Sequence, residues 1–114
     1  MTSPLINSAN LDELLSLLGD EFRDITRLFV EQLEGELADL RAARAAQDWQ
    51  ALYRRAHALK GSSGNMGATA LSESAARLER AARDGDADGV EREIAAIELL
   101  APQTVQALRA GRYV

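Results

Sequence analysis

The sequence contains no cysteine. Disulfides and thiolate metal sites are therefore excluded, and a reduced compartment is compatible with the chain. It holds a single histidine, so no second imidazole exists to share a metal ion. Aromatic residues make up only 4%, and the two prolines stand at positions 4 and 102. No run of alternating β-branched residues makes a convincing strand. No apolar stretch approaches the ~20 residues that a bilayer span requires. Met1 to Asn10 lack the basic region and long apolar run of a secretory signal. Positive charge is in deficit, with 13 Lys and Arg against 18 Asp and Glu and a net charge of −5. An acidic chain repels phosphate backbones, so nucleic acid is a poor partner. Together these absences point to a cytoplasmic protein that engages neither membrane nor nucleic acid.

What is present is helix-forming material. With 114 residues, one domain is expected. A composition of 46% hydrophobic and 27% charged residues suits one modest core. Alanine, leucine, glutamate and arginine, all strong helix formers, recur throughout. Residues 1–9 read as a flexible lead-in, and 10–114 as the folded domain. Asn10 can cap a short helix to about Leu18, with Leu11, Leu14, Leu15 and Leu18 on one face, and Gly19 ends it. Asp20 can cap a long second helix to about Ala46. Its stripe is Phe22, Ile25, Phe29, Leu33, Leu37 and Leu40. Asp48 is a good cap for a third helix from Trp49 to about Gly64, followed by a turn at 65–67. A fourth helix from about Thr69 to Arg83 turns Leu71, Ala75, Leu78 and Ala82 inward. Asp84-Gly85-Asp86 is a turn signal. Asp88, with Glu91 three residues on, begins a fifth helix striped by Val90, Ile94, Ile97, Ala101, Val105 and Leu108, and Pro102 should kink it. Short loops make neighbours antiparallel. The expected fold is therefore all-α, an up-down antiparallel four-helix bundle with a short additional N-terminal helix.

Chemistry concentrates at His57. At about 100° per residue, Trp49, Leu52, Ala56, Leu59, Ser63 and Met66 share an arc of about 100°, and His57 lies roughly 130° from its centre. The imidazole should therefore face outward. Lys60 and Gly61 lie one turn on, Gly64 two turns on, and Tyr53 and Arg54 one turn back. Each glycine inside a helix costs about 1 kcal/mol relative to alanine. Two of them beside one exposed histidine are best read as clearance for another molecule. Lys60 places positive charge where an anion on the ring would lie, and Arg54 can add to it. A largely neutral imidazole is a nucleophile and a competent covalent carrier. Against this, a lone exposed histidine is most often only a surface residue. A glycine-rich stretch near a helix end is more often a C-cap than a phosphate cradle. No Gly-x-x-x-x-Gly-Lys-Ser/Thr pattern precedes the segment.

The segment His57-Ala58-Leu59-Lys60-Gly61-Ser62-Ser63, with Gly67-Ala68 about ten positions after the histidine, resembles the signature of histidine-phosphotransfer domains of two-component phosphorelays. Leu71, Leu78 and Glu79 resemble the helix that follows in the family. The second helix with Phe29 resembles the family's long one. The resemblance runs over roughly residues 10–109. It implies that His57 is the phosphoacceptor and that Lys60 neutralises the phosphoryl charge. Gly61 and Gly67 match family glycines that give access and shape the turn; Gly64 has no fixed family role. Some members carry a glutamine near position 79 that hydrogen-bonds the active histidine, and Glu79 leaves that role open here. The resemblance implies a carrier, not an enzyme. It has no cofactor of its own, and its partners are receiver domains of response regulators or hybrid kinases, which supply Mg²⁺ and most of the catalysis. Monomer is the family expectation. Met1 and a complete bundle favour a free-standing protein. A non-catalytic helical adaptor is the alternative; it accounts for the bundle but makes the surroundings of His57 coincidental. An enzyme using His57 as general base is weaker, for lack of a pocket or nucleophile partner.

Overall fold

In the computed structural model, which describes residues 4–114, the chain forms five α-helices and, among the described residues, no strand. They are α1 (Ser8–Leu18), α2 (Asp20–Ala45), α3 (Trp49–Asn65), α4 (Thr69–Asp84) and α5 (Ala87–Ala110). α3 packs most extensively on α4, and α4 on α5. α2 packs on α3 and, more lightly, on α5, while α1 rests on α2. The core is mostly aliphatic and small-residue, with Phe22 and Phe29 added: Leu33, Leu37 and Leu40 of α2, Leu52, Ala56 and Leu59 of α3, Leu71, Ala75 and Leu78 of α4, and Ile94, Ile97 and Leu108 of α5 are all buried.

The helix ends differ from the sequence expectation in informative ways. Asn7, not Asn10, caps α1, its side chain accepting from the Asn10 backbone N–H at 3.2 Å. Ser8 and Ala9, expected in the lead-in, are therefore helical; Met1 to Ser3 lie outside the described residues. Gly19, at φ +59°, occupies the cap position of α2, and Asp20 sits inside the first turn, where it pairs with Arg23. An acidic group in a first turn is favoured by the helix dipole without being a cap. Asp86 caps α5 by accepting from Gly89 N–H, which displaces the expected start at Asp88. Asp48 caps α3 as expected, accepting from Ala51 N–H. α5 continues as a helix through Pro102.

Three stripe residues are misplaced by periodicity alone, among them Leu18 at the end of α1, which is 41% exposed. Ile25 is 49% exposed, and the buried position beside it is Thr26. Thr26 satisfies its hydroxyl by donating to the Phe22 carbonyl one turn back, which lets a polar residue enter the core. Trp49 lies at the bundle end and is 36% exposed.

α1 fixes the turn that leads out of α3. Gly67 adopts φ +66°, and its carbonyl accepts from the Asn7 N–H. A Cβ there would stand 3.2 Å from Leu11 Cγ, a fully buried side chain of α1. Both the backbone angle and the packing demand glycine.

Candidate functional site

His57 stands on the outer face of α3, with its side chain 63% exposed. The core stripe of α3 explains this: Leu52, Ala56, Leu59 and Ser63 are buried and leave position 57 on the far side. Lys60 is one turn further on the same face. From α4, the inward stripe of Leu71, Ala75, Leu78 and Ala82 sets Glu79 at its margin, turned toward α3.

The three side chains meet. One oxygen of Glu79, Oε2, lies 2.6 Å from His57 Nδ1. The other, Oε1, accepts from Lys60 Nζ at 2.7 Å. Glu79 is the shielded member, its side chain only 12% exposed. The hydrogen bond from Lys60 holds its carboxyl below the ordinary glutamate range; burial pulls the other way, and His57 adds to the lowering. Glu79 is therefore a carboxylate near neutral pH and can only accept hydrogen bonds. It follows that His57 carries its proton on Nδ1. In the neutral ring Nε2 then bears the free lone pair, on an exposed side chain.

Around this centre, Tyr53 lies nearly parallel to the imidazole, with ring planes at 13° and centroids 6.4 Å apart. Arg83 of α4 pairs with Asp84 and lies close enough to Tyr53 and Glu79 to feel both. The three glycines divide into three kinds. Gly61 has nothing within 4 Å of where a Cβ would stand, so it opens onto solvent beside His57. Gly64 would bring a Cβ to 3.3 Å from Ser72 Oγ. Ser72 itself donates to the Lys60 carbonyl at 2.9 Å, so Gly64 also serves the approach of α4 to α3. Gly67 shapes the turn.

Next to the histidine face runs a shallow groove of about 200 Å³ between Ile25, Leu28 and Phe29 of α2 and Ser62, Asn65 and Met66 of α3. Ile25 and Leu28 are 49% and 52% exposed there. The 3.6-residue period places Ile25 in the core stripe and leaves Leu28 off it, so their exposed edge was not legible in the sequence. Glu79 was visible in the sequence only as a residue of undetermined role. Its spacing of 22 residues from His57 gives no local signal. Arg77 is tied to Glu93 of α5 at 3.1 Å. Among the described residues no group of three or more His, Cys, Asp or Glu could hold a metal ion. No described helix is long and apolar enough to cross a membrane.

The Hpt domain family model matches residues 24–111. The chain belongs to the Hpt domain family. The crystal structure of histidine-containing phosphotransfer protein B (HptB) from Pseudomonas aeruginosa PAO1 matches it with a TM-score of 0.90 at 32% sequence identity, over 97% of this chain and 96% of that one. The sensory/regulatory protein RpfC of Xanthomonas campestris pv. campestris is 32% identical over 80 residues, which is 68% of this chain. The match spans only 11% of RpfC. As an Hpt protein, the chain is a phosphotransfer carrier of two-component phosphorelays and not itself a catalyst of their chemistry.

Proposed function

We propose that His57 is the residue that carries the phosphoryl group. The observation that carries this reading is the bond from His57 Nδ1–H to the Glu79 carboxylate, which leaves Nε2 as the nucleophile on an exposed ring. In the forward step the Nε2 lone pair attacks the phosphorus of an aspartyl phosphate on a receiver domain. The N–P bond forms as the P–O bond to the aspartate breaks, and the aspartate leaves as a carboxylate. Return to a second receiver is the same step reversed. Lys60 has a donor free to turn from Glu79 toward the phosphoryl oxygens, where its charge offsets theirs. Gly61 gives the receiver room to bring its aspartate to the ring. Gly64 allows α4 to close on α3, and Gly67 holds the turn that ends α3.

Mg²⁺ and most of the transition-state stabilisation come from the receiver. The receiver's apolar contact falls on the groove edged by Ile25 and Leu28, beside the histidine face. In the same reading α2 to α5 form an up-down antiparallel four-helix bundle with α1 as the additional helix, and residues 10–114 act as one monomeric cytoplasmic domain.

The test is intact-mass analysis after mixing the protein with several phosphorylated receiver domains. One acid-labile phosphoryl group is expected on the wild type and none on His57→Gln. A folded wild type that gains none from any receiver would favour the adaptor reading. Leu28→Asp should leave the helical signal unchanged but weaken receiver binding about tenfold, as expected when a charge enters an apolar contact.

A further inference from the structure

Glu79 contributes more than orientation. We propose that its negative charge keeps a proton on Nδ1 of the phosphorylated His57 ring, and so keeps the phosphohistidine in the form that can release its phosphoryl group at neutral and alkaline pH. This rests on the reading of His57 as phosphoacceptor.

When Nε2 of an Nδ1–H imidazole binds phosphorus, the ring becomes a phosphoimidazolium cation. No proton moves in the step. If Nδ1 keeps its proton, the N–P bond breaks with its electron pair going to Nε2, and the leaving group is a neutral imidazole. If Nδ1 loses its proton, the same cleavage must expel an imidazolate anion, a far poorer leaving group. The reactive carrier is therefore the protonated ring, and whatever holds that proton sets the upper pH limit of transfer.

In this protein the atom facing Nδ1 is Oε2 of Glu79, at 2.6 Å. A carboxylate can accept this proton but has none to offer, so it stabilises only the protonated ring. A glutamine amide, which some family members carry near this position, is neutral. By turning over it can accept from a protonated Nδ1 or donate to a deprotonated one, and so it discriminates weakly between the two forms. The carboxylate acts from a shielded position, 12% exposed, where a charge–charge contact is less screened than at the surface.

The other charged groups around the ring act in the opposite sense. Lys60 of α3 shares the carboxylate through Oε1 and is itself a cation near the ring. Arg83 of α4 lies within reach of Glu79 and Tyr53 but is paired with Asp84. Arg54 of α3 and Arg80 of α4 are exposed neighbours in sequence of these elements. On the far side of α4, Arg77 is engaged by Glu93 of α5. Among these groups Glu79 is the one anion bonded to the imidazole, and Lys60 is the cation that most directly weakens its pull.

The opposed signs make the inference testable. Wild type, Glu79→Gln and Lys60→Met are phosphorylated with phosphoramidate. Hydrolysis of the phosphohistidine is then followed by intact mass between pH 6 and pH 10, with circular dichroism confirming the fold. Each profile should fall from a fast acidic plateau to a slow alkaline one. In Glu79→Gln the midpoint should move down by about one pH unit, so that above the wild-type midpoint its phosphohistidine survives about tenfold longer. In Lys60→Met, where Glu79 serves the ring alone, the midpoint should move up. Midpoints that coincide across the three proteins, or a Glu79→Gln profile slowed equally at every pH, would overturn the inference and leave the carrier reading intact. A folded wild type that takes no phosphoryl group from phosphoramidate at His57 would overturn both. Should Glu79→Gln fail to fold, the upward shift in Lys60→Met decides alone.

Discussion

α4 is flanked by two shielded carboxylates in similar bonding and opposite employment. Glu79, its own residue, faces α3 and accepts from Lys60 at 2.7 Å and from His57 at 2.6 Å. Glu93, supplied by α5, faces the other edge, where it accepts from Ser74 Oγ at 3.0 Å and from Arg77 Nε at 3.1 Å. Their side chains are 12% and 8% exposed. Each is a shielded anion joining two helices through a cation. The difference lies in the remaining partner. Ser74 is wholly buried, so on that side the Glu93 cluster ends in the core, while Arg77 and Arg92 reach it from the surface. His57 is mostly exposed, so the Glu79 cluster ends in a ring atom that faces solvent. A carboxylate whose remaining partner is a buried hydroxyl holds two helices together, whereas one that orients an exposed nucleophile serves chemistry.

The largest effect is expected at Glu93. Glu93→Ala leaves Ser74 without its side-chain acceptor and Arg77 without its partner, and should destabilise the protein by about 2–3 kcal/mol. Glu79→Gln, isosteric and beside exposed groups, should cost less than about 1 kcal/mol. Urea denaturation of both variants measures the contrast, and a reversed order would mean that the His57 corner is structural. Next in size is Gly61→Ala. The open space around Gly61 lets alanine fit, and helix propensity should then stabilise the protein by about 0.5–1 kcal/mol while phosphotransfer from a receiver slows. A stabilised variant with unchanged transfer would remove the access role of Gly61.

The smallest effect is on acid stability. Glu79 titrates below its ordinary value of 4.5, chiefly through Lys60. Such a group contributes stability that is fully present above the ordinary value and is lost as pH falls through the lowered one. Between pH 5 and pH 3 the melting temperature of Glu79→Gln should therefore fall less steeply than that of the wild type. Parallel curves would mean that the carboxylate is not held in the folded state as the Lys60 contact implies.

Much of this protein was written locally. The absence of strand patterns, the leucine and alanine stripes and the Gly19 and Gly85 breaks determined five helices, because a 3.6-residue period and a glycine stop act within a few residues. The outward placement of His57, with Lys60 and Gly61 beside it, followed from the angle between position 57 and the stripe of α3. Caps were less legible: Asn7, Gly19 and Asp86 occupy the cap positions where Asn10, Asp20 and Asp88 had equal claim by residue type. The choice between neighbouring candidates depends on where the preceding loop delivers the chain. For α1 that is settled by Asn7 N–H reaching the Gly67 carbonyl, 60 residues away.

Which residues meet across helices was settled by packing. The amphipathic period placed Ile25 in the core, yet Thr26 is buried and Ile25 edges the groove beside the histidine face. Gly64 read as clearance for a partner, yet the side chain nearest to it belongs to α4. Glu79 could have been an exposed charge, a substitute for an amide or a bystander. The packing of α4 on α3 makes it the carboxylate on Nδ1. Periodicity specifies the direction in which a side chain leaves its own helix, while its partner is set by the rotation and height of the next helix, and these follow from how all the stripes close on one core.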